Sequence, residues 1–71
     1  MTFVKNDEIL ACECAWARHK IEENLIQTAS DVVDTLNSLT KAYEKAGRDY
    51  GISKWMYDFY KETQALIINA I

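Results

Sequence analysis

Residues 7–46, DEILACECAWARHKIEENLIQTASDVVDTLNSLTKAYEKA, carry apolar or small side chains at Leu10, Cys14, Ala17, Ile21, Leu25, Ala29, Val32, Leu36, Leu39, Tyr43 and Ala46. Steps of three and four put all of these on one side of an α-helix and on no single side of a strand. The stretch contains neither Gly nor Pro. Its periodicity predicts one continuous helix over about 7–46, opened by Asn6 as cap with Asp7 and Glu8 at the positive end of the dipole. Gly47 suits the left-handed position that ends such a helix, and Lys41 and Lys45 lie near its negative end.

Working outward, 47–52 reads as a turn and Ser53 as the cap of a second helix over about 53–70. Ile52 and Tyr57 are spaced to staple across that cap. The second stripe runs through Trp55 or Met56, Phe59, Thr63, Leu66, Ile67 and Ala70. The expected fold is therefore all-α, a single domain built as a helical hairpin with one long and one short helix. A break near Ser30, with that serine as N-cap, gives the alternative of a three-helix bundle with helices of ordinary length.

The hairpin implies assembly. A helix over 7–46 would be about 60 Å long and its neighbour about 30 Å, so the returning helix would cover only the second half. Leu10, Cys14, Trp16, Ile21 and Leu25 would then lie bare, each large side chain forgoing about 1.5–3 kcal/mol. They are the expected self-association residues. Residues 1–40 are acid-rich, while 41–61 hold Lys41, Lys45, Arg48, Lys54 and Lys61. Antiparallel pairing of two copies brings opposite charges together, so the expectation is an antiparallel homodimer resembling a four-helix bundle.

Composition narrows function mainly by exclusion. At 71 residues and 49% apolar, with no Pro, the chain is one small helical unit. No apolar run approaches the roughly 20 residues of a membrane span, and residues 1–8 do not open a secretion signal, so the expected location is the cytoplasm. A net charge of −3 gives no general pull toward duplex DNA. Cys12 and Cys14 would point about 200° apart on a helix and read as reduced thiols. His19 has Glu22, Glu23 and Cys12 at helical spacings but no second histidine or Cys-x-x-Cys, so no metal is expected. Ser30, Ser38 and Ser53 lack a sequence-local base and no Gly-rich phosphate loop is present. The chain reads as a non-enzyme without a cofactor.

Aromatic and basic residues crowd around the turn. Arg48, Tyr50, Lys54, Tyr57 and Tyr60 are the expected surface for a foreign partner. The leading expectation is a small protein-interaction module, an adaptor or inhibitor that presents a helical surface and self-associates. The alternative is an oligomer that binds a small anionic molecule such as a nucleotide, with Lys or Arg supplying charge and Tyr or Trp stacking.

Overall fold

The structure, a computed structural model, describes residues 6–71 apart from the Asp49 side chain. Three helices form it, α1 (Asp7–Glu22), α2 (Ala29–Lys45) and α4 (Lys54–Ile68), with a single helical turn, α3 (Arg48–Gly51), between the last two. The continuous helix over 7–46 is thus replaced by two helices, in the manner of the three-helix alternative. Its longest dimension, 33 Å, is about half that of the expected rod.

The chain turns because two local devices act back to back. Asn24 takes a left-handed backbone, φ 58°, the conformation that ends a helix and that Asn tolerates almost as Gly does. Its N–H donates to Ile21 O at 3.1 Å and Leu25 N–H donates to Lys20 O at 2.8 Å, the paired bonds of a Schellman stop. Four residues later Thr28 caps α2. Its Oγ accepts from Asp31 N–H at 3.1 Å, and Asp31 Oδ2 accepts from Thr28 N–H at 3.1 Å and Gln27 N–H at 3.0 Å. This is a capping box, and it displaces the expected cap from Ser30, which lies within the first turn of α2.

The Gln27 and Thr28 donors hold the Asp31 carboxyl below its ordinary range. A carboxyl depressed on folding stabilises above its ordinary value, about pH 4, and that contribution is lost as pH falls through the lower folded value. Urea midpoints of wild type and Asp31→Asn should therefore differ at pH 7 and converge toward pH 3. A constant gap would show that the charge of Asp31 is not what holds the turn.

Helices α1 and α4 run parallel. Asp7, at the start of α1, accepts from Ser53 at the start of α4, and Arg18 Nε donates to Thr63 Oγ1 at 3.0 Å further along both. Helix α2 runs back antiparallel against the pair: Ile9 and Glu13 share a depression with Ser38, Lys41 and Lys45. Leu10, Cys14 and Ala17 from α1 meet Leu39, Ala42 and Ala46 from the second helix and its cap, with Met56, Tyr60 and Ile67 from α4. Buried hydroxyls are satisfied locally, Thr35 donating to Asp31 O at 2.7 Å and Thr63 to Phe59 O at 2.8 Å.

Several expectations change with the architecture. Leu10 and Cys14, expected at a dimer interface, are 0% exposed inside the chain, and Ile21 packs on the same core. Trp16 and Leu25 remain half exposed. No half-rod is left bare, because α2 and α4 cover α1 along its length. The parallel pairing also sets Asp7 against Ser53, next to Lys54 of the basic segment of its own chain, which weakens the charge asymmetry that favoured antiparallel pairing of copies. Asn6 occupies the N-cap of α1 with no side-chain cap hydrogen bond. Gly47 is left-handed, φ 95°, and Ser53 Oγ accepts from Met56 N–H at 3.1 Å, both as expected.

Candidate functional site

The tip of the bundle, where α2 passes through α3 into α4, gathers the aromatic residues. Gly47 at φ 95° is followed by Arg48 at φ 57°, so two successive residues are left-handed and the chain leaves α2 sharply. A left-handed non-Gly residue costs about 1–2 kcal/mol, a strain that the surrounding turn must hold. The reward is the placement of Tyr50, whose side chain stands fully in solvent at 101% of its reference exposure.

Beside it, α2 and α4 enclose a depression of about 550 Å³ lined by Tyr43, Glu44, Arg48, Tyr50, Tyr60 and Gln64, among others. Tyr43 and Tyr60 stack face to face with ring centroids 4.4 Å apart and planes 5° from parallel, which ties α2 to α4 beside the depression. Tyr57 stands 6.4 Å from each of them and tilts across their edge. Gln64 Nε2 donates to the Tyr60 hydroxyl at 2.9 Å, fixing that ring. Burial pushes the Tyr60 phenol up, with the Thr40 hydroxyl acting against the shift, so the group remains a neutral phenol at physiological pH. Arg48 Nη2 pairs with Glu44 Oε2 at 3.3 Å.

Of the five residues expected to form a partner surface, the structure brings Arg48, Tyr50 and Tyr60 to this depression. Tyr60 is only 5% exposed and serves chiefly as core and floor, because α4 turns positions 56, 60, 63 and 67 inward. Lys54 and Tyr57 instead border a smaller neighbouring hollow of about 360 Å³ with Ile52 and Ser53. Lys54 also pairs with Asp58 at 3.4 Å. Sequence reasoning missed Tyr43 as a lining residue and Gln64 as the brace of Tyr60. Their seven-residue and four-residue spacing from Tyr50 and Tyr60 carries no sign of a shared groove until the α2 to α4 packing is known.

Elsewhere the polar groups act structurally. The Arg18 guanidinium lies 4.1 Å over the Phe59 ring and 3.9 Å from Glu62, with Nη2 buried and without a hydrogen-bond partner among the described residues. It joins α1 to α4 mainly through the ring and Thr63. Burial pushes the Cys14 thiol up, against smaller opposing effects of Thr63 and Arg18, which disfavours a reactive thiolate. His19 stacks on Trp16 at 5.5 Å. Among the described residues no three His, Cys, Asp or Glu side chains stand close enough to hold a metal ion, and no helix is long and apolar enough to cross a membrane.

Comparison with protein-family models, with curated proteins and with solved structures finds no match.

Proposed function

We propose that the chain is a small protein-interaction module that docks a partner at its tyrosine-lined tip. One observation carries this reading: a fully exposed Tyr50, set out by two successive left-handed residues, beside the stacked Tyr43 and Tyr60 and an arginine. Tyr and Arg are the side chains that most often dominate binding energy, and strain kept at one surface turn favours a role for that turn. Adaptor or inhibitor action would follow from which protein is held there. Self-association at Leu10, Cys14 and Ile21 is no part of this proposal, since those side chains pack within the chain.

The anionic-ligand reading draws less support. Arg48 and Lys54 each face a carboxylate, Glu44 and Asp58, so these two cations are already matched in charge. A nucleotide would have to displace those pairs and approach Glu44.

Affinity capture from the native cell extract with wild type and Tyr50→Ala tests the proposal. Tyr50 has no burial to lose, so the variant should keep its stability within about 0.5 kcal/mol. Partner retention should fall at least about tenfold, near 1.4 kcal/mol. Equal retention by the two proteins, or thermal stabilisation by nucleotides that scales with ligand concentration, would contradict docking at the tip.

A further inference from the structure

We propose that the open face of α1 and α4 docks a cationic amphipathic helix of another protein, at a surface separate from the tyrosine-lined tip. Helix α1 turns Ala11, Ala15, Arg18 and Glu22 to one side, and α4 turns Trp55, Phe59, Glu62 and Leu66 to one side, each at steps of four, three and four. The helices run parallel with these stripes in register, since the Arg18 guanidinium lies 4.1 Å over the Phe59 ring and 3.9 Å from Glu62. Helix α2 leaves this face open, because it meets α1 on the other flank, where Ile9 and Glu13 stand beside Ser38 and Lys41. Paired stripes at this spacing are the surface into which a further helix sets its own side chains.

The relief of the face selects a helix. Ala11 is partly buried and Ala15 exposed, a low side that lets an incoming backbone approach α1, while Trp55 at 40% and Leu66 at 44% exposure stand up along α4. Trp55 stacks on Phe59 at 5.6 Å with planes 5° from parallel, so the high side is held in place before a partner arrives. An extended strand gains less, because helical backbones bond internally and leave it no partners for its N–H and C=O groups. Charge selects the sign. Glu22, Glu62 and Glu8, seven residues before Ala15, face the one guanidinium of Arg18, and the Lys54–Asp58 pair at the edge cancels. Glu8 and Glu22 form no ion pair among the described residues. Lys or Arg flanking an apolar stripe meets these carboxylates. A second copy does not, since pairing the face with itself sets three carboxylates against three, with two guanidinium groups to offset them.

An NMR titration of isotope-labelled protein with a Leu/Lys amphipathic helical peptide of about four turns, and with its Leu/Glu counterpart, tests the proposal. The Leu/Lys peptide should give saturable shifts centred on Ala15, Arg18, Trp55 and Phe59, and the Leu/Glu peptide none. Ala15→Arg, a change at an exposed helical position that keeps helix propensity, should weaken binding at least about tenfold by raising the low side and repelling the peptide. Val33→Arg, which adds the same charge at a 54% exposed position on α2, should bind as wild type, and so should Tyr50→Ala at the tip. Silence at about millimolar peptide, equal response to the Leu/Glu peptide, or equal loss in Ala15→Arg and Val33→Arg would overturn the proposal. Loss of binding in Tyr50→Ala would overturn it in favour of the tip, and shifts of the same residues on concentrating the protein alone would overturn it in favour of self-pairing.

Discussion

Replacing Asp7 with alanine will lower the thermal midpoint by about 12–24 °C, corresponding to about 3 kcal/mol in a chain of this size. Asp7 is 1% exposed, and its carboxylate accepts from Ser53 N–H at 3.0 Å and Ser53 Oγ–H at 2.8 Å, across 46 residues of sequence. Ser53 Oγ in turn accepts from Met56 N–H at 3.1 Å, so one carboxylate organises the first turn of α4 while sitting in the first turn of α1. Removing it strands a part-buried backbone donor, a loss of about 1–3 kcal/mol. It also removes a negative charge from the positive ends of two parallel helices, about 0.3–1 kcal/mol at each. Total stability at this length is about 4–10 kcal/mol, so the variant forfeits a large share of it. Asp7→Asn should lose less, because an amide oxygen still accepts. Asp7→Ala and Ser53→Ala combined should cost less than their sum, because they remove the same contact. An Asp7→Ala midpoint within 3 °C of wild type would mean that the two helix starts do not meet.

Gly51→Ala will destabilise the chain by about 3 kcal/mol, read as a fall in the urea midpoint. A Cβ on Gly51 would overlap the Ala46 carbonyl oxygen and lie 2.9 Å from its carbon, with Asn6 Nδ2 only 3.3 Å away. The obstruction is backbone at the C-cap of α2, beside the fully buried Ala46, so no side chain can swing aside to relieve it. The turn α3 must open, and with it the position of Tyr50. Gly47→Ala makes an instructive comparison: its constraint is a left-handed φ of 95° and a 3.1 Å approach to Gly51 Cα, which should cost about 1–2 kcal/mol. Gly51→Ala should therefore be the more damaging, and it should also weaken capture at the tip. A Gly51→Ala protein as stable as wild type would remove the close packing of α3 on Ala46 from the account.

The helical class, the Gly47 stop and the Ser53 cap were legible because each depends on residues within a turn of one another. The break at 23–28 was equally local but easily overlooked. Leu25, Ala29, Val32 and Leu36 keep helical phase across it, and Asn24 does the work usually sought in Gly. The decisive signs were Asn24 followed by Thr28 with Asp31 three residues on. The sequence shows Asp7 only as a charge at the positive end of a helix dipole, since its partner lies 46 residues away and only the parallel packing of α1 on α4 brings it near. Tyr60 falls outside the stripe of Trp55 or Met56, Phe59, Thr63 and Ile67 because Phe59 stands in its place; the structure buries Met56, Tyr60, Thr63 and Ile67. Arg48 and Tyr50 fall at the tip in sequence and structure alike because an aromatic and basic concentration around a turn survives any rotation of the flanking helices.

Whether the chain reverses at 23–28 decides between a self-contained bundle and a rod that needs a partner. Spin labels at Glu13→Cys and Ser38→Cys, in a background with Cys12→Ser and Cys14→Ala, measure it by pulsed electron resonance after dilution into excess unlabelled protein. Glu13 and Ser38 line one depression between α1 and α2, so the bundle gives an intrachain distance below about 20 Å, set by adjacent helices and the label arms. A distribution centred near 38 Å, the span of 25 residues of unbroken helix at about 1.5 Å each, would contradict it.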